Sequence, residues 1–232
     1  MRKSWNISKP ENADDKAFEI ILSKILNHEI RPGDVIYEPE LAESMNLSRT
    51  PVRNALKRFV EKGLLERRKG RKGYFVPVLS PQDMEEVFQA REAIEGQIAF
   101  NAAQNASPED IRFLRFLNID EEKKFIAGER ITYADFNERF HFKIAEMGKN
   151  KYLERAFRPI YWRTQLYTFF LAGFYRSIEV PVTKAMNQMS YVEHSKIINA
   201  IEGGDPEAAK EAMIYHIHST YTKRFIPTKG DG

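Results

Sequence analysis

The chain has 232 residues, 42% apolar and 12% aromatic, a net charge of +3 and no cysteine, enough for one large or two modest cores and too aromatic to be disordered over most of its length. The composition excludes disulfides and thiolate-held metals, and no apolar run approaches the roughly 18 to 20 residues that cross a bilayer. The opening MRKSWNISKP has positive charge without an apolar stretch behind it, so no secretory leader is expected and a cytoplasmic protein without membrane contact is the expectation.

Residues 1–13 are polar and aperiodic, as are 227–232, and both read as tails. Asp14 and Asp15 then precede AFEIILSKILNHEI, whose Phe18, Ile21, Leu22 and Ile25 recur at helical spacing. Pro32 and Gly33 stop that helix at Arg31. A short helix fits EPELAESMN and a longer one fits SRTPVRNALKRFVEKG, with Gly63 as its C-terminal breaker. Two short apolar runs follow, Leu64–Arg67 and Tyr74–Val78, separated by the basic RKGRKG, which predicts a hairpin with a cationic tip.

Helix, short helix, tight turn, helix and hairpin is the order of a winged helix-turn-helix. On its third helix Val52, Leu56, Phe59 and Val60 form the apolar stripe, while Thr50, Arg53, Asn54 and Lys57 share a polar face with Arg49 at the leading end. Between Arg49 and Gly73 ten basic residues face two acidic ones, leaving the rest of the chain acidic. Such a block points to a polyanion, with a merely solvated basic face as the ordinary alternative. An arginine at the leading end of such a helix can grip a guanine through two acceptors, worth about 1–3 kcal/mol of discrimination. Ser48 and Thr50 hydroxyls suit phosphate oxygens, and Lys69, Gly70 and Arg71 at the hairpin tip can reach an adjacent groove.

Beyond Val78 the character changes. Ser80-Pro81-Gln82-Asp83, Ser107-Pro108-Glu109-Asp110 and Asp205-Pro206-Glu207 are three helix starts, with proline at the first helical position and acid in the first turn. Six helices are predicted near 81–105, 108–127, 132–147, 150–172, 182–202 and 206–225. The expected fold is mainly α: a winged helix-turn-helix over 14–79 (three helices plus a β-hairpin wing), then an all-α six-helix antiparallel bundle over 80–226.

Within the bundle Asn137 and His141 stand four apart, on one helical face. His194 lies nine residues before Gly203 and His216 ten after Pro206, so each is roughly 14–15 Å from the connecting turn at about 1.5 Å per residue. Across an antiparallel pair they are level. Three imidazoles and one amide oxygen converging there would suit a divalent metal with open positions, with buried, hydrogen-bonded histidines as the bland alternative. His218, two positions beyond His216, points about 200° away and reads as a surface residue. Arg91 and Glu95 in AREAIE form either an i, i+4 ion pair or an arginine clamp for an effector carboxylate. Arg163, in the aromatic YWRTQLYTFFLAGFY, is a second candidate effector contact, and Asn150 a helix cap.

The run PGDVIYEPELAESMNLSRTPVRNALKRFVEKGLLERRKGRKGYFV resembles the N-terminal domain of the GntR family of bacterial regulators. The resemblance implies base reading by Arg49 and Arg53, phosphate contacts from Ser48 and Thr50, and a wing tip at Lys69-Gly70. Pro39 stands where some members have an arginine, so operator preference does not carry over. Residues 81–226, through AREAIE, NERFHFKIAEMGKN and EHSKIINAIEGGDPEAAKEAMIYH, resemble the FCD ligand-binding domain of the FadR subfamily, in its shorter VanR-like branch. That likeness implies a homodimer on double-stranded operator DNA and a divalent transition metal (Zn, Ni or Mn) on Asn137, His141, His194 and His216, with a small organic acid as effector. Not an enzyme, then, but a metabolite-responsive regulator is expected. The alternatives are a metal-dependent hydrolase fused to a DNA-binding module, a constitutive DNA binder with a purely structural metal, and an acyl-chain effector.

Overall fold

The computed structural model describes residues 12–126, 133–170 and 184–225, and the two tails lie outside these apart from Asn12 and Ala13. In chain order the elements are α1 (Ala13–Leu26), β1 (Val35–Ile36), α2 (Glu38–Ser44), α3 (Arg49–Glu61), β2 (Tyr74–Phe75), α4 (Pro81–Asn105), α5 (Pro108–Ile126), α6 (Tyr133–Met147), α7 (Lys151–Phe170), α8 (Lys184–Glu202) and α9 (Pro206–Phe225). The mainly helical architecture matches the expectation. No described helix is long and apolar enough to cross a membrane.

The chain divides into two compact units, Met1–Glu85 with Arg158–Arg176 and Glu86–Phe157 with Ser177–Gly232. In the first, α1 and α3 bury Ala17, Ile21 and Ile25 with Val52, Ala55, Leu56 and Phe59. Ala55 takes the place expected for Val60 in that stripe, and Val60 is only half-buried. Asn12 caps α1 by accepting from the Asp15 amide. The helix ends at Leu26, short of Arg31, because the chain turns at His28, whose φ is 59°. A residue in that left-handed region ends an α-helix.

The wing differs from the predicted hairpin. Tyr74–Phe75 pairs antiparallel with Val35–Ile36, a segment that had no strand signature. The Leu64–Arg67 arm contributes one bridge, Glu66 to Phe75, with hydrogen bonds of 2.8 and 2.9 Å. The ladder cannot run further towards the tip, because Gly70 and Gly73 adopt φ of 75° and 95°, outside the β region. Gly63 has two reasons to be glycine. Its φ is +72°, and a Cβ there would lie 2.9 Å from the Pro159 carbonyl oxygen of α7. The later part of α7 thus packs within the first unit, with the Lys62 ammonium 4.3 Å from the Trp162 ring centre and His28 edge-on to Phe170.

In the second unit the helix starts behave as their sequences predict. Ser107 and Asp110 cap each other reciprocally, with the Asp110 amide on Ser107 Oγ and the Ser107 amide on Asp110 Oδ2. Asp205 accepts from the Ala208 amide, and Asn150 from the amides of Tyr152 and Leu153. Helix α4 approaches α9 closely at Gly96, where a Cβ would lie 2.9 Å from Ile214 Cγ1.

Candidate functional site

Ser48, Arg49, Thr50, Arg53 and Lys57 are all exposed on α3 and its leading end, as are Lys69 and Gly70 at the wing tip. Ser48 occupies the N-cap position without capping through its side chain, which leaves the hydroxyl available to an incoming acceptor or donor. The first turn of α3 carries no acid, so the amide-rich helix end and the arginines present one continuous positive edge. Asn54, one member of the expected polar face, is instead held from behind: its amide donates to Asp14 at 3.0 Å. Arg58 is likewise taken up by Asp15 at 2.8 Å and lies over Phe18. The acidic start of α1 therefore braces the back of α3, while Arg49 and Arg53 face water.

The second unit gathers His141 of α6, His194 of α8 and His216 of α9, all buried, with one ring nitrogen from each within 4.8 Å of the others. Each imidazole engages a buried carboxylate through Nδ1. His141 pairs with Glu95 of α4, His194 with Glu121 of α5 at 3.2 Å, and His216 with Glu193 of α8 at 2.9 Å. The Nε2 edges are thereby the ones presented to a ligand. His194 is also stacked on Phe140, with ring centres 3.9 Å apart, which fixes its plane.

Burial pushes the His141 and His216 imidazoles down, to about 4 and about 3, against the upward pull of their carboxylates. Both are neutral at neutral pH, so these contacts are hydrogen bonds and not ion pairs. Burial alone would raise the Glu95 carboxyl; the Arg91 guanidinium and His141 overcome it and hold it at about 2.

These residues fit a divalent ion. Neutral imidazole is the metal-binding form, and carboxylate-oriented histidines are the usual ligands of such ions. His194 Nε2 and Asn137 Oδ1 are buried without a hydrogen-bond partner, a situation that ordinarily costs about 1–3 kcal/mol per group. Asn137 lies one turn before His141 on α6 and is itself buried.

The other candidates fall differently. Arg91 is buried; its Nε donates to Glu95 and its Nη2 lies 3.4 Å from His141 Nε2, so the ion pair and a place beside the imidazoles coexist. Arg163, the second candidate effector contact, has neighbours of its own. It belongs to the first unit, where its Nε donates to Asp83 at 3.0 Å and its Nη2 to the Val78 carbonyl at 3.3 Å. Tyr167, one turn on along α7, reaches the same Asp83 carboxylate and the Ser80 carbonyl. Arg163 and Tyr167, four apart on α7, share one face. The His218 side chain is 60% exposed, and its Nδ1 lies 3.1 Å from the Glu92 carboxylate. Sequence reasoning passed over Glu121 and Glu193 entirely. For Glu193 a signal existed, since it adjoins His194 on the helix antiparallel to α9; for Glu121 there was none.

An exposed, arginine-bearing helix end beside a basic wing is the arrangement of a DNA-binding module, and the second unit adds a helical bundle with a buried polar centre. The chain belongs to the GntR family of bacterial regulatory proteins, in its FCD-domain branch: the gntR family matches residues 14–76 and the FCD domain residues 86–219. It is 33% identical over 137 residues to the Nta operon transcriptional regulator of Aminobacter aminovorans, covering 58% of this chain and 63% of that protein, somewhat less than two thirds of its length. It is 29% identical to a probable D-xylose utilization operon transcriptional repressor of Paenarthrobacter nicotinovorans, over 86% of this chain and 83% of the relative. Among solved structures, E. coli McbR/YncC superposes with a TM-score of 0.72 at 18% identity, covering 92% of this chain and 97% of that one, which speaks for the fold. The protein is a transcriptional regulator of GntR/FCD type.

Proposed function

We propose that this regulator binds double-stranded operator DNA as a cytoplasmic homodimer and that a small carboxylate-bearing metabolite modulates its affinity from the helical domain, roughly residues 80–226. In this reading Arg49 and Arg53 read base edges, Ser48, Thr50, Lys69 and Gly70 position the phosphate backbone, and Asn137, His141, His194 and His216 hold a divalent ion. The observation that carries it is the chemistry of the histidine set: three buried imidazoles, each oriented by a carboxylate, with His194 Nε2 and Asn137 Oδ1 buried without a hydrogen-bond partner.

A nitrogen-rich set with one neutral oxygen suits Zn, Ni or Mn. When bound, such an ion supplies a positive point charge and open positions for a carboxylate oxygen. The chain's own groups then orient the ligand. Arg91 lies beside His141 and offers its guanidinium to a second carboxylate oxygen, while Phe140 and the buried lining keep water out. The imidazoles come from α6, α8 and α9, so a ligand that favours one spacing of these helices over another shifts the population of domain arrangements, and with it operator affinity. Glu95, Glu121 and Glu193 are each committed to an imidazole, which favours regulation over hydrolysis.

The test is elemental analysis of the purified protein, a thermal-shift screen of small carboxylic acids on the same sample, and operator binding with and without each acid that stabilises. About one transition metal per chain and an acid that both stabilises and changes operator affinity are expected. A metal-free protein, or operator affinity indifferent to every stabilising acid, would overturn the reading.

A further inference from the structure

Among the described elements, α4 and α7 pass from one compact unit to the other within a continuous helix. Helix α4 belongs to the first unit as far as Glu85 and to the second from Glu86; α7 belongs to the second as far as Phe157 and to the first from Arg158. In the second unit both meet α6 beside the imidazoles, Glu95 at His141 and Phe157 at Phe142, whose ring centres are 5.0 Å apart. In the first unit the same two helices are tied to each other. Asp83, in the opening turn of α4, accepts from Arg163 Nε at 3.0 Å and from the Tyr167 hydroxyl, both on α7. The Arg163 guanidinium also reaches the Val78 carbonyl at 3.3 Å and stands 3.9 Å from Glu66, which bridges to Phe75 at the base of the wing. Tyr167 is fully buried, and its oxygen accepts from the Ser80 amide at 3.3 Å. The exit from the wing, the start of α4 and the second half of α7 thus share one cluster.

We infer that Asp83, Arg163 and Tyr167 form the joint through which occupancy of the histidine centre reaches the DNA-binding unit. The proposal rests on the metal reading above and deepens it by naming the route to α3. Coupling between separate sites is carried by packed side chains, hydrogen-bond networks and stiff elements. Helix α7 alone is a poor strut, because Pro159, just inside the first unit, offers no amide to the Arg155 carbonyl and weakens the helix there. Helix α4 carries proline only at its first position, and from Asp83 to Glu95 it runs about 18 Å at 1.5 Å per residue. The joint gives the weak strut a stiff neighbour. Beyond it, α7 is seated on the DNA-binding fold itself, with the Pro159 carbonyl against Gly63 just past α3 and the Lys62 ammonium over the Trp162 ring. Asp83, Arg163 and Tyr167 are positioning residues that act through the two helices. A merely local packing role gives a different expectation: their loss would weaken the first unit equally with and without metal in the second.

Trp162 belongs to the first unit and is one of two tryptophans, so Trp5→Phe makes tryptophan emission a private report on that unit. In this background, chelator-stripped full-length protein is melted with and without Zn2+, following Trp162 emission and, in parallel, helical circular dichroism. At about a hundredfold excess over its dissociation constant, Zn2+ should raise both transitions of the parent together by about 5–10 °C. In Tyr167→Phe and in Asp83→Asn the dichroism transition should rise as before, while the Trp162 transition loses part of its rise, and most of it when the two changes are combined. Asn12→Ala, which uncaps α1 elsewhere in the first unit, should lower Trp162 melting but keep the full response to Zn2+. An undiminished Trp162 response in the combined variant, or a lost response in Asn12→Ala, overturns the joint. So does a parent whose Trp162 transition ignores Zn2+ while its dichroism transition rises. A parent that retains no Zn2+, with both transitions unmoved, sinks the metal reading and takes this proposal with it.

Discussion

The cationic edge of α3 and the histidine centre of the bundle use polar side chains in opposite ways. On α3 the groups assigned to function stand in water: Arg49 and Arg53 are exposed, and no side-chain partner holds them among the described residues. In the bundle every functional polar group is out of water and most are tied to a neighbour. A surface that meets a polyanion gains from counterion release and needs only charge, reach and a rigid base, which the brace of Asp14 and Asp15 behind α3 supplies. A buried centre has no water to mend a missing contact, so its specification extends outward to residues that never meet the ligand.

The comparison can be broken at its strongest point by His194→Ala, which removes a proposed ligand and leaves Glu121 without its imidazole. Bound metal should fall from about one per chain to background while operator affinity in the absence of any acid stays near wild type; unchanged metal content refutes the site. Next in size is Arg53→Ala, with an expected loss of about tenfold to a hundredfold in specific operator affinity per half-site. Metal content should not move, and a variant that binds its operator normally puts base reading elsewhere.

Acid sharpens the contrast further. In chelator-stripped protein, His141 and His216 hold folded values of about 4 and about 3, against about 6.5 for an unfolded histidine. The unfolded chain takes up protons first, so their contribution is complete above pH 6.5 and is lost as pH falls through 4 and 3. Urea midpoints measured from pH 7.5 to pH 4.5 should decline, and a flat profile contradicts the burial of neutral imidazoles. The smallest effect belongs to Arg163→Ala. Loss of its contacts to Asp83 and the Val78 carbonyl should cost about 1 kcal/mol of stability, with no change in metal content or in affinity for any carboxylic acid. A selective loss of acid binding would instead place Arg163 at the effector site.

Much of this arrangement was legible beforehand, for reasons that differ by region. The exposed face of SRTPVR reads directly because its residues are neighbours along one helix, where spacing along the chain is spacing in space. The six bundle helices read equally well, since Ser107, Asn150 and Asp205 announce their own starts. The level placement of His194 and His216 followed from counting residues to a common turn. What escaped depends on contacts between elements far apart in the chain. Val35–Ile36 is too short for alternation to register, and only its partner at Tyr74–Phe75 makes it a strand. Glu121 reaches His194 across 73 positions, a distance at which sequence periodicity says nothing. Arg163 likewise meets Asp83 across 80 positions.

Gly96 sits beside Glu95, and Ile214, the residue a side chain there would strike, precedes His216 by two. β-branched Ile214 has little rotamer freedom on a helix, so a methyl group at position 96 would be accommodated by spreading the backbones of α4 and α9. The missing side chain therefore works as a calliper between α4 and α9, the helices that carry Glu95 and His216, and a single carbon added there would reset their spacing without touching any member of the histidine set.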